Sequence, residues 1–151
     1  MTQEALLAYV HLLAIFTLVV FIASEAALCR PEWMNPTVVD RLVTVDRVYG
    51  IAAVAVLATG LLRVFLGAKG SDWYWSNWLL HLKLGLFLLV GLLSILPTLR
   101  FLRWRKRMRA SGELPAEAEV RSTRKLVMVQ AHFIPLILLA AVFLARGFGG
   151  K

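Results

Sequence analysis

The chain has 151 residues, 60% of them hydrophobic and 17% charged, with a formal net charge of +8. A mean hydropathy of +0.73 lies outside the range of water-soluble domains of this length. The surplus of cations does not mark a nucleic-acid binder, because Arg100, Arg103, Arg105, Lys106, Arg107, Arg109, Arg121, Arg124 and Lys125 all fall in one stretch between apolar runs.

Crossing the hydrocarbon core takes about 20 apolar residues, and four such runs can be read, roughly 5–29, 48–67, 78–99 and 126–144. None alternates with period two, which excludes a β-barrel. The whole chain, 1–151, reads as one all-α integral membrane domain, a four-helix bundle with cytoplasmic helix extensions.

The first run has no basic segment before it and is too long for the apolar core of a signal peptide, so it is expected to stay as a helix. Within it His11, Ile15, Leu18, Ile22 and Glu25 step by four and three and share one face. At 1.5 Å per residue His11 and Glu25 stand about 21 Å apart, near opposite ends of the span. Cys29 is the lone cysteine, which excludes an internal disulfide and a thiolate cluster.

Asn35-Pro36-Thr37 is a helix-start signal, a capping amide beside a proline whose φ suits a first turn. A helix from Thr37 to Gly67 would measure about 46 Å and would project past the bilayer. Asp40, Arg41, Asp46 and Arg47 are then expected at or beyond the interface. The series Asp46, Gly50, Ala53, Leu57, Gly60, Arg63 forms a stripe whose small residues allow a neighbouring helix or a flat cofactor to come close.

Trp73, Tyr74, Trp75 and Trp78 resemble an interfacial aromatic belt, and Ser76 or Asn77 is placed to cap the third helix. That helix passes Ser94 and Pro97 and can run on to Arg109, until Ser111-Gly112-Glu113-Leu114-Pro115 breaks it. The last helix is expected from Pro115, with Glu117 and Glu119 favourably placed in its first turns. The cationic connection 100–125 is read as cytoplasmic and as facing anionic lipid. Both termini and 68–77 are then periplasmic in a bacterial inner membrane.

Histidines inside membrane spans are costly unless they have a partner or a task. Depth sorts the polar groups into an outer layer of His11, His81, Arg63 and Lys83 and an inner layer of Glu25, Arg47 and His132. Two imidazoles on different helices at one depth are what axial ligation of haem b requires, with Arg63 and Lys69 near the surface for the propionates. The plainer reading is that the histidines bond to hydroxyls or carbonyls of neighbouring helices. His81 and Lys83 are two residues apart and diverge by about 200°, so Lys83 is expected to reach outward to the interface. In the inner layer Glu25 and Arg47 are expected to pair and His132 to meet a carbonyl near Pro135; a proton pathway or substrate site is the alternative.

Several segments carry a family resemblance: Leu80-His81-Leu82-Lys83-Leu84, Val90-Gly91-Leu92-Leu93-Ser94-Ile95-Leu96-Pro97-Thr98-Leu99-Arg100-Phe101, Asp46-Arg47-Val48-Tyr49-Gly50, Gly60-Leu61-Leu62-Arg63-Val64 and Lys69-Gly70. Together they resemble a bacterial predicted-membrane-protein family catalogued as a domain of unknown function. A more distant similarity is to the HemJ-type protoporphyrinogen oxidases, which bind haem b. His11 matches their first-span histidine, and residues 80–84 match their Leu-His-x-Lys-Leu motif. The chain departs from them in lacking their Trp-containing and Tyr-Leu-Pro-Arg-like segment, and in reading His132-Phe133-Ile134-Pro135 where they have Asn-Glu-x-Pro. This resemblance implies haem binding through His11 and His81, in electron transfer or a related oxidoreduction. Porphyrin or quinone are the ligands it brings into view, with a homo-oligomer or redox subunit as partner. The competing expectation is a non-enzymatic accessory subunit or small carrier whose histidines are packing groups.

Overall fold

The computed structural model describes residues 2–67 and 70–149. Its elements are α1 (Thr2–Leu28), a single 3-10 turn at Pro31–Trp33, α2 (Pro36–Leu66), the short α3 (Ser71–Trp75), α4 (Trp78–Ser111) and α5 (Glu117–Ala145). No strand occurs among the described residues. The four long helices are each long and apolar enough to cross a membrane. α1 packs on α2 and α5, and α4 on α5 and α2, so the helices form a square whose sequence neighbours are antiparallel.

Local chemistry fixes the helix ends. The Asn35 side chain accepts from the Val38 N–H at 3.0 Å, with Pro36 in the first turn. Asn77 caps α4 by accepting from the Leu79 N–H at 3.0 Å, and its amide donates to the Phe148 carbonyl at 2.9 Å, which ties the C-terminal turn to the start of α4. α4 stops at Gly112, whose φ of 73° is left-handed and whose N–H donates to the Met108 carbonyl at 2.8 Å, a conformation suited to glycine. α5 begins two residues beyond Pro115. With 31 residues in α2 and 34 in α4, both exceed about 30 Å of hydrocarbon at 1.5 Å per residue. They extend past their apolar runs at the end of the bundle that carries the cations, called here the basic end.

That end holds the tightest packing. Val39 and Leu42 of α2, Phe101 and Trp104 of α4, Val120 and Val127 of α5, and Cys29 are fully enclosed, and the Phe101 and Trp104 rings meet edge to face at 5.4 Å. The Cys29 thiol donates to the Val120 carbonyl at 3.8 Å, a structural role. Ion pairs surround this core, Arg109 with Asp40 and Arg107 with Glu119, both at 2.9 Å, and Arg121 with Glu117. Among the described residues, the opposite, terminal end has a smaller cluster of Val64, Leu79, Leu80 and Leu144. Large apolar side chains such as Phe16, Val54 and Leu92 face outward, toward lipid.

Lipid supplies no hydrophobic force between helices, so the enclosed aromatic pair beyond the apolar runs contributes far more than the exposed ion pairs. Trp104→Ala should cost about 3–5 kcal/mol and lower the thermal midpoint in detergent by roughly 10 °C. Arg121→Ala should cost less than about 1 kcal/mol; thermal unfolding of both variants checks the contrast.

Candidate functional site: a cavity between the four long helices

The two stripes legible in α1 and α2 face the same space. His11, Ile15 and Leu18 of α1 and Gly50, Ala53, Leu57 and Gly60 of α2 line a cavity of about 220 Å³, closed by residues of α4 and α5 that include Leu80, Phe87, Ile134 and Ile137. Its few polar contributors are His11 and Lys83 toward the terminal end and Tyr49 and Ser94 deeper in. The small residues of α2 hold the wall back. At Gly60 even a Cβ would lie 3.3 Å from Cε1 of His11.

His11 is 8% exposed, and its Nδ1 lies 2.7 Å from the Thr59 hydroxyl. That hydroxyl has one proton, which it donates back to the Ala55 carbonyl at 2.6 Å. It therefore accepts from His11, which places the imidazole proton on Nδ1 and the lone pair on Nε2, a tautomer assigned from the bonding network. Nε2 has no hydrogen-bond partner among the described residues. Lys83 is half-buried in the cavity wall, and Arg63 lies exposed one turn beyond Thr59. Both cations act on His11 electrostatically.

The outer layer is thus only partly assembled. His81 is exposed, donates from Nε2 to the Trp75 carbonyl at 2.9 Å and lies 6.1 Å from the Trp75 ring at a tilt of 44°. It does not line the cavity. The divergence of residues two apart holds, but the helix is turned the other way from the expected one: Lys83 faces inward and His81 outward. The structure therefore brings together His11, Lys83 and, at the rim, Arg63, and leaves His81 outside. Lys69 lies outside the described residues.

The inner layer also differs in membership. Glu25 is 2% exposed, but Arg47 lies on the exposed side of α2, about 100° around from its neighbour Asp46, and the two form no ion pair among the described residues. His132 is exposed and donates from Nδ1 to the Met128 carbonyl one turn back at 2.6 Å. Asp46, expected at the interface, is instead buried at 7% and accepts from the Thr98 hydroxyl at 2.8 Å. Beside it Tyr49 donates to Oε1 of Gln130 at 3.4 Å, and the Gln130 amide donates to the Leu126 carbonyl at 3.3 Å. Glu25, Asp46, Tyr49, Thr98 and Gln130 make up this layer.

Sequence spacing alone does not mark Thr59, Tyr49 or Ser94 as members of the site. Once Asp46 is placed, Tyr49 carries a usable signal, since it follows by three residues and so shares its face. Thr59 carries none, because its importance lies in a contact across helices.

Four membrane-length helices around an apolar cavity with polar groups at two depths define an integral membrane helical bundle. The chain belongs to the family described as Predicted membrane protein (DUF2214), whose model matches residues 3–149. No curated protein and no solved structure matches it.

Thr59→Val should leave Nδ1 of His11 without its acceptor. Cross-helix hydrogen bonds in membranes contribute about 0.6 kcal/mol on average and up to about 1.7, so the thermal midpoint in detergent should fall by about 2–4 °C. Ser24→Ala, which loses only a bond to the Val20 carbonyl within α1, should leave the midpoint in place.

Proposed function

We propose that this protein holds a flat lipophilic ligand in the cavity, its polar edge met by His11 and Lys83 and its apolar body by α2, α4 and α5. The observation that carries this reading is the His11 imidazole: buried in the cavity wall, fixed by Thr59 at Nδ1 and bare at Nε2. An imidazole held through one nitrogen by an oxygen acceptor is oriented to ligate through the other. Haem b fits this donor chemistry. His11 would hold the iron, and Lys83 and Arg63 would receive the propionates. When bound, such a group supplies one-electron chemistry, while the protein supplies orientation, an apolar surround and the charge at its edge. With one histidine in the cavity wall, His11 alone would hold such a group. Because the histidine of the Leu80–Leu84 motif turns away from the cavity, HemJ-like porphyrinogen oxidation forms no part of the proposal.

A second reading, a carrier for a smaller lipophile such as a quinone, draws on the volume. About 220 Å³ is below the roughly 300–1,000 Å³ of pockets that enclose drug-sized ligands.

The test is to purify the protein in mild detergent from haem-replete cells, then measure haem by pyridine haemochrome and other bound lipophiles by native mass spectrometry. We expect about one ligand per chain, with His11→Ala reducing retention at least tenfold and Lys83→Ala weakening it less. His81→Ala and His132→Ala should retain the ligand. A colourless protein carrying a quinone would favour the second reading. Retention unaffected by His11→Ala, or lost equally in His132→Ala, would contradict the proposed site.

A further inference from the structure

We propose that Glu25 and Asp46 form a proton-binding site beneath the cavity, one side chain a carboxylic acid and the other a carboxylate, with Tyr49 linking the pair to the cavity. The proposal goes beyond the ligand reading and does not depend on what occupies the cavity. Glu25, at 2% exposure, has an Oε1 with no hydrogen-bond partner among the described residues. Asp46, at 7% exposure, has the Thr98 hydroxyl as its donor. The Asp46 carboxyl group acts electrostatically on Glu25, and both act on Tyr49.

Among the described residues no cationic side chain forms an ion pair with either carboxyl group. The residue after α1 contributes the Cys29 thiol, which is bonded to the Val120 carbonyl. α2 contributes Tyr49, while Arg47 is exposed on its other side. α4 contributes the neutral Thr98, and α5 contributes Gln130 and Arg124; Arg124 acts on Cys29 but forms no ion pair with either carboxyl group among the described residues. Arg30, in the connection after α1, lies over the Trp33 ring at 5.3 Å.

Two ionised carboxylates left unpaired in an enclosed, low-dielectric site are strongly unfavourable. A single proton resolves this. It removes one charge and converts an acceptor-only group into an O–H donor, which can serve the neighbouring carboxylate. The proton comes from water and returns to water, with no electrons transferred, and the pair titrates as a unit. Tyr49 lines the cavity and donates to Gln130 at 3.4 Å, so a ligand touching Tyr49 and a proton on the pair influence one another reciprocally.

Infrared spectra of the purified full-length protein at neutral pH, in H₂O and in D₂O, test this. The expected result is a carboxylic-acid carbonyl band above the amide I region, equivalent to one group per chain, that moves to lower frequency in D₂O. It should disappear in Glu25→Gln and shift in position in Asp46→Asn, which keeps an acceptor for Thr98. The wild-type spectrum is decisive by itself if a variant fails to fold: no acid band at neutral pH overturns the proposal. So does a band unchanged in both variants.

Discussion

Inside hydrocarbon, apolar side chains gain little by leaving lipid for a neighbouring helix, and the rest of this structure depends on that constraint. Cohesion has to come from where water drives burial or from close packing. The helices extend past their apolar runs only at the basic end, and there Val39, Leu42, Phe101, Trp104 and Val120 are fully enclosed. This core sets the spacing and angle at which α1, α2, α4 and α5 enter the membrane. The terminal half is held by less, the small cluster at Val64, Leu79, Leu80 and Leu144 and the Asn77 bond to Phe148. A bundle anchored at one end can keep a hollow at the other.

The hollow explains the polar groups that the apolar runs contain. His11 is satisfied at one nitrogen by Thr59 and lines a space walled mostly by carbon. Lys83 lines the same space as Leu80, Leu84 and Phe87 of its own helix, and long cationic side chains can cover apolar surface in this way. Deeper in, Asp46, Thr98, Tyr49 and Gln130 bond to one another or to backbone carbonyls, among them that of Leu93, which Pro97 frees. His81 and His132, the other two histidines, each spend a ring nitrogen on a backbone carbonyl at the lipid-facing surface, the inexpensive arrangement for an imidazole in a span.

Periodicity made a good part of this legible. The faces His11–Ile15–Leu18–Ile22–Glu25 and Gly50–Ala53–Leu57–Gly60 were visible as spacing, and both face the bundle interior. The caps at Asn35 and Asn77 and the stop at Gly112 were legible because they are local chemistry. What spacing could not supply was the rotation of one helix about its axis relative to its neighbours. For α4 both His81 and Lys83 are compatible with the apolar pattern, since the run is hydrophobic all round, and the structure turns Lys83 inward. The same ambiguity joined Glu25 to Arg47 in the sequence reading, when a rotation of about 100° on α2 selects Asp46.

The central claim is that the space between the helices, and not the lipid-facing surface, is the binding site. Ala53→Phe tests it most directly, because it fills the cavity from the α2 wall while leaving His11, Thr59 and Lys83 in place. Ligand retained per chain after purification should fall at least tenfold, with the thermal midpoint of ligand-free protein unchanged or raised. Full retention in this variant would place the ligand elsewhere and contradict the account.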